Sequence, residues 1–489
     1  MKFILSSFLA VSMILTSFFV FGDNNPSIDK TTELKFSQNK KFKISQFTDI
    51  HWDSNQIENC RLVSETITKV LSDESPDLVI LTGDIVTNDP AINGWLELSS
   101  IFNKAKVNWT VVLGNHDDET SLSRKQIFEL LEQQPGFVGD AGYVSGAGNY
   151  ILPLLSANED TLSALLYGFD SQGYSKDKTI GYYDWVKFDQ IQWYRQKSAE
   201  YTLANKGIPL PSLAFFHIPT LEYKEVATSP AMMGIKGEGV SSAVLNPGLI
   251  TAFIEMGDVM GTFVGHDHDN NYIGIFYDVA LAYGQKTGAN SYGSLPRGAR
   301  IIELTEGERG FNTWIRTAEG EAFHYNYPFG LSFKEDEISF LPAGDSSFLV
   351  QGINVSFFDG SFQSSEDLAK ETPSGTWVSK NITLNEVQST DNFGLVFEGH
   401  IHISHKGYYR FYTLSDDGSR LYVGNKLVVN NDGAHGITKA EGIVALEAGY
   451  HSFRVEYFET TGDQFLEVGF SSLKIMEQSI PAGILFYKE

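Results

Sequence analysis

Pro76-Asp77-Leu78-Val79-Ile80-Leu81-Thr82-Gly83-Asp84 runs four apolar residues into a threonine, a glycine and a carboxylate. A short apolar run bounded by turn residues reads as a strand buried on both faces, as in a parallel sheet. The glycine permits a sharp turn, which delivers Asp84 at the strand's carboxyl end. Four other runs end in the same way. Phe42-Lys43-Ile44-Ser45-Gln46-Phe47-Thr48 leads to Asp49-Ile50-His51, and Trp109-Thr110-Val111-Val112-Leu113 leads to Gly114-Asn115-His116-Asp117. Ala214-Phe215-Phe216 leads to His217, and Thr262-Phe263-Val264 leads to Gly265-His266-Asp267-His268. In α/β sheets ligands gather beyond the carboxyl ends of strands, so these groups can converge despite their separation in sequence. Singly, each ending is an ordinary turn or a core histidine. Five of them in order point to a metal site.

Working outward, Leu62, Val63, Ile67, Val70 and Leu71 mark the buried face of a helix between two of these strands. Alternation of this kind from Lys35 to about Arg316 indicates an α/β domain. After residue 345 helical periodicity fades. Short strands such as Tyr408 to Leu414, Leu421 to Val423, Lys426 to Val429 and Phe453 to Phe458 alternate with turns at Asp416-Asp417-Gly418, Gly424-Asn425 and Ala448-Gly449. That pattern predicts an all-β sandwich or barrel. Pro328, Gly330, Pro342 and Gly344 punctuate a connector over 319–345.

The 489 residues suffice for two or three domains. With 36 Lys and Arg against 61 Asp and Glu, the net charge is −25. This excludes nucleic acid as a partner, because phosphate binding needs clustered cations, and it excludes docking on anionic lipid. The single cysteine, Cys60, excludes an intrachain disulfide, a cysteine-ligated zinc site and a dithiol redox pair. Any metal chemistry must therefore use His, Asp, Glu and Asn. Lys2 followed by the apolar run Phe3 to Phe21 predicts a secretory signal over 1–22. The rival is an uncleaved anchor helix. With the signal removed, the protein is expected to be extracellular or periplasmic, without stable membrane insertion.

The blocks Asp49-x-His51, Gly83-Asp84, Gly114-Asn115-His116-Asp117, His217 and Gly265-His266-x-His268 resemble, in full and in order, the five-block signature of the calcineurin-like metallophosphoesterase superfamily. The text around Asp84 is similar to its purple-acid-phosphatase-like branch of the Dcr-two type. This resemblance implies a β-sandwich flanked by helices over 36–318, with a dimetal site at one edge. It assigns Asp49, His51, Asp84 and His268 to one metal, and Asp84, Asn115, His217 and His266 to the other, with Asp84 bridging. It places His116 against substrate, as proton donor to the leaving oxygen or as stabiliser of the phosphoryl charge, with Asp117 orienting or charge-assisting it. In true purple acid phosphatases a tyrosine three residues past the Gly-Asp block ligates ferric iron. That position is Thr87 here, so no iron-tyrosinate chromophore is expected. Mn, Zn and Fe(II) all remain compatible with mixed N/O ligands.

Residues around the ligand blocks give further expectations. Asp53, Asp267 and Asp269 could accept hydrogen bonds from the ligand histidines, and Asn271 and Tyr272 could line the cleft. Asp118 and Glu119 are expected to be solvated, and His400, His402 and His405 to form a solvent-facing stripe.

The stretches Asp391 to Gly399, Gly407 to Val423 and Ala448 to Tyr457 resemble the protective-antigen domain, a β-sandwich expected here over 346–489. In its sugar-binding members, paired aspartates joined by a cis peptide hold calcium, and Asp416-Asp417 matches that place.

The expected function is a secreted dinuclear-metal phosphoesterase, a phosphomonoesterase first, with a glycan-binding accessory domain. The alternatives are a phosphodiesterase acting on nucleotides or lipid head groups, and a calcium-dependent carbohydrate-binding protein with a vestigial phosphoesterase domain.

Overall fold

A computed structural model describes residues 33–158, 161–330 and 339–489. The expected signal over 1–22 lies outside the described residues. The amino-terminal domain contains two facing sheets. One sheet runs Gly320–Tyr327, Phe311–Thr317, Gly298–Thr305, Lys41–Phe47, Leu78–Thr82, Asn108–Val112, the last three strands being parallel. The other has seven strands, at its centre the parallel set Leu162–Gly168, Ser212–Phe215, Val259–Val264 and Val279–Tyr283. Ile44, Val79 and Val111 of the first sheet share a single core with Leu152, Leu166, Leu213 and Phe263 of the second. Helices cover the outer faces. Val63, Ile67 and Val70 of Ile57–Glu74 are buried as the periodicity predicts, while Leu62 and Leu71 are half-buried. On the other side Trp193 and Tyr194 of Phe188–Ala204 pack with Phe253 and Tyr167. The first domain is an α/β sandwich of two sheets flanked by helices.

The structure corrects the expected domain limit at 318 and the connector of 319–345. Gly320–Tyr327 is an edge strand, pairing antiparallel with Phe311–Thr317 from Phe311↔Tyr327 to Thr317↔Gly320. Tyr325 and Tyr327 bury their rings in the shared core, so burial outweighs the turn residues that punctuate this stretch. Beyond it, two antiparallel sheets form the second domain, one centred on Phe393–Ile403 and Gly449–Glu459, the other on Gly407–Asp416 and Phe465–Ser472. The domains touch: the Arg309 amide donates to the Leu473 carbonyl at 2.5 Å, and the Arg410 guanidinium donates to the Pro328 carbonyl.

Candidate dimetal centre

Parallel strands point their carboxyl ends to a common edge, and the ligand blocks meet there. Each block turns sharply on leaving its strand. Asp49, His51, Asp84 and His266 all adopt the left-handed backbone region, at φ 52°, 47°, 54° and 82°. Four non-glycine residues in this region at one place is the signature of a constrained functional site. Close approach fixes two glycines. A Cβ on Gly114 would stand 2.2 Å from Asp84 Oδ1, and one on Gly265 would stand 1.9 Å from Thr48 Oγ1.

The result is two trios, Asp49 with His51 and His268, and Asp84 with His217 and His266, all buried except half-buried His51. His268 Nε2 stands 3.2 Å from Asp49 Oδ1, and His217 Nε2 stands 3.2 Å from Asp84 Oδ2. Asp84 also reaches toward the first trio, with His51 Nε2 4.0 Å from the same oxygen. Asn115 joins the second trio through its Asp84 neighbourhood, the His116 amide donating to Asp84 Oδ1 at 2.9 Å.

These residues fit a pair of cations. His217 Nδ1 lies 2.8 Å from the Thr82 carbonyl, and His268 Nδ1 lies 3.1 Å from that of Tyr292. Each Nδ1 must donate to its carbonyl, which turns the Nε2 lone pair toward a carboxylate. Two acceptors facing each other need a proton or a cation between them. Asn115 Oδ1, His51 Nε2 and His266 Nε2 are buried without a hydrogen-bond partner among the described residues, the condition of ligand atoms aimed at an ion. The charge balance agrees. Burial opposes ionisation of Asp84, yet the imidazoles of His217 and His51 hold its carboxyl well below the usual range. Burial likewise disfavours a charged His217, but Asp84 outweighs it and lifts the imidazole to about 9. Burial and the adjacent His217 charge push His266 down to about 3, leaving it neutral and free to ligate.

The expected pairing of Asp117 with His116 does not form. Asp117 is fully buried and accepts the backbone amides of Gly114 (2.7 Å), Ile85 (2.7 Å), Asp84 (3.0 Å) and Val86 (3.2 Å). It thereby ties the Asp84 turn to the Asn115 turn. Burial and the Asp84 charge raise it to about 6. His116 is held instead by Glu119, whose Oε2 lies 2.5 Å from Nδ1. Glu119 therefore does work expected of Asp117, because the chain turns after Asp117 and brings position i+3 back over the imidazole. Arg124 is a second residue that its sequence context hides. It donates to the carbonyls of Leu113 (3.0 Å) and Gly114 (2.7 Å) while paired with buried Asp170.

Tyr174, from a distant loop, accepts a hydrogen bond from Asn115 Nδ2 at 2.9 Å. This fixes the amide and leaves Oδ1, buried and unpartnered among the described residues, as its free end. Tyr174→Phe keeps the ring but frees the amide to flip. It should weaken binding of the second ion by about 10- to 100-fold, the usual effect of removing a partner that orients a ligand. Titration calorimetry with Mn²⁺ or Zn²⁺ checks this, and an isotherm like the wild type's would remove the role.

Asp53, Asp267 and Asp269 do not support the ligand histidines. Asp53 caps its own turn through Asn55 and Gln56. Asp267 accepts from Tyr283, and Asp269 from the Ser294 and Leu295 amides. Asn271 and Tyr272 are buried away from the cleft, bonded to Gln285 and to the Tyr223 carbonyl. His402 packs against the Tyr450 ring at 4.7 Å. In the second domain the Asp416–Asp417 peptide is cis, and their carboxylates meet that of Glu459. Glu459 Oε1 is buried without a partner among the described residues, and burial with the two neighbouring aspartates raises Glu459 to about 7. Three converging carboxylates suit a calcium ion.

A family model described as calcineurin-like phosphoesterase matches residues 42–270, and one described as PA14 domain, the protective-antigen type, matches 349–483. The chain is similar to "Probable inactive purple acid phosphatase 29" of Arabidopsis thaliana, 32% identical over 324 residues, which are 59% of this chain and 83% of that protein. It is also similar to "Phosphatase DCR2" of Saccharomyces cerevisiae, 32% identical over 321 residues, 56% of this chain and 54% of that one. A solved dimetal phosphatase from Danio rerio aligns at 12% identity and a TM-score of 0.42, over 58% of this chain and 98% of that one.

Proposed function

The chain belongs to the calcineurin-like phosphoesterase family and is a phosphoric ester hydrolase, and from that premise we propose a secreted phosphomonoesterase that works with two divalent ions, Mn, Zn or Fe(II). The observation that carries this reading is the pair of trios joined by Asp84 beside an accessible His116. Asp49, His51, Asp84 and His268 would hold one ion, and Asp84, Asn115, His217 and His266 the other. When bound, such ions supply Lewis-acid charge to the phosphoryl oxygens and acidify a water. The remaining steps fall to the chain itself.

Glu119 Oε2 on Nδ1 of His116 fixes the ring, with Nε2 beside the Tyr174 hydroxyl at 3.5 Å. His116 Nε2 then carries the proton to the departing alkoxide. Asp117 and Arg124 hold the Gly114 turn on which Asn115 and His116 ride. In the second domain, Asp416, Asp417 and Glu459 would hold calcium to coordinate sugar hydroxyls, making a glycan the proposed accessory ligand. Secretion rests on the apolar run Phe3 to Phe21, and among the described residues no helix is long and apolar enough to cross a membrane.

The test is phosphate release from a panel of monoesters and diesters by protein of known metal content. Monoester turnover that vanishes on chelation and returns with added metal is expected. Full activity in chelated protein would sink the proposal, and a preference for diesters would replace it with the diesterase reading. In the same assay His116→Ala should keep both ions and lose about 10²- to 10⁴-fold in turnover, the range of a general acid.

A further inference from the structure

One element at the centre enters this mechanism only through Tyr174. Gly173 to Asp184 forms a hairpin, closed by Ser175 N to Tyr182 O at 2.9 Å and Asp184 N to Gly173 O at 2.9 Å, with Tyr174 bridged to Tyr183. Its two arms set Tyr174 and Tyr183 side by side, their rings stacked at 5.9 Å, and both reach residues of the second metal set. Tyr174 bonds Asn115, and the Tyr183 ring lies 4.6 Å from that of His266. Tyr182 extends this aromatic group outward. It stands edge-on to Tyr174 at 5.1 Å and to Tyr183 at 5.1 Å, yet it is 62% exposed. Lys178, at the hairpin tip, sits over the rings of Tyr174 and Tyr182 at 5.3 and 4.8 Å. Beside the other trio Tyr292 stacks on His268 at 4.0 Å and is 57% exposed.

Large aromatic rings left exposed at a catalytic cleft are ready surfaces for another ring, because stacking removes apolar area from water on both partners. Resting on the phosphoesterase reading, we propose that the Gly173–Asp184 hairpin forms a subsite for a flat aromatic ring on the substrate's alcohol. Tyr182 provides the stacking face, and the ester phosphate reaches the trios past Tyr174. The centre thus favours phosphate esters that carry a nucleobase or an aryl group over esters of aliphatic alcohols.

Two matched pairs of ligands test this without a change of leaving-group chemistry. AMP and ribose 5-phosphate share the same ester and differ in the base. Benzyl and cyclohexylmethyl phosphate differ in ring flatness. Affinities are measured by calorimetry on the metal-loaded protein, and kcat/KM where turnover occurs. The ring-bearing member of at least one pair should bind about tenfold more tightly, the effect of one aromatic stack, and Tyr182→Ala should bring that ratio toward one. A preference within the first pair alone names a nucleobase, and within the second alone an aryl group. Equal affinities within both pairs, or a preference that survives in Tyr182→Ala, overturn the subsite. A Tyr182-dependent ring preference without any phosphate release upholds the subsite and removes the hydrolytic reading, so the two failures are distinct.

Discussion

Asp84→Asn is expected to abolish phosphate release, lowering turnover by roughly 10³-fold or more, at or beyond the loss seen when one preorganised electrostatic group is removed from an active site. The substitution changes almost no volume and removes one charge. That charge is shared: Asp84 Oδ2 faces His217 at 3.2 Å and His51 at 4.0 Å, and Oδ1 accepts the His116 amide at 2.9 Å. An asparagine oxygen can still accept the amide. It cannot neutralise two cations, and its NH₂ face would turn donors toward the ligand side of His217. Metal analysis should therefore find fewer than two ions per chain, alongside an unchanged circular dichroism spectrum. Wild-type turnover in this variant, with its metals retained, would remove Asp84 as the bridging group.

Trp109→Ala carries the largest expected loss of stability. The side chain is fully buried, its ring 5.2 Å from Phe102 and 5.0 Å from Phe137, with Nε1 donating to the Pro135 carbonyl at 3.2 Å. Truncation leaves a ring-sized void in a core that collapses only in part. The cost is about 3–5 kcal/mol, read from the midpoint of urea unfolding at unchanged slope. Trp109 also fastens the segment after the helix Arg124–Leu131, taking the Gly136 carbonyl and giving its own carbonyl to Val138. A loss below about 1 kcal/mol would mean that the edge strand Asn108–Val112 contributes little to the core. That strand delivers Asn115 and His116, so the variant should also lose metal affinity.

Much of this was legible in the chain. Leu78 to Thr82 is a strand because a four-residue apolar run buried on both faces fits little else, and Gly83-Asp84 turns where the glycine allows. The helix Ile57–Glu74 buries Val63, Ile67 and Val70 at the spacing its periodicity sets. The stretch expected as a connector is a strand because proline and glycine signal turns only locally, whereas Tyr325 and Tyr327 are drawn into the sheet by burial that no local pattern reveals. Asp117 departs from its expected role for a related reason. Adjacency to His116 made it the natural partner, but the turn sends its carboxylate inward to four amides and brings Glu119 over the imidazole.

The sequence by itself determined the two architectures, the order of the ligand blocks and the exclusion of thiolate chemistry, because strand endings and residue types are local properties of the chain. Only the tertiary structure decided which atoms meet. The Tyr174–Asn115 bond joins residues 59 positions apart, and the contact of Asp49 with His268 spans the domain. So does the choice of Glu459 as the third carboxylate beside Asp416 and Asp417. Such contacts depend on the register of packed sheets and on where loops return, and no short stretch of sequence encodes either.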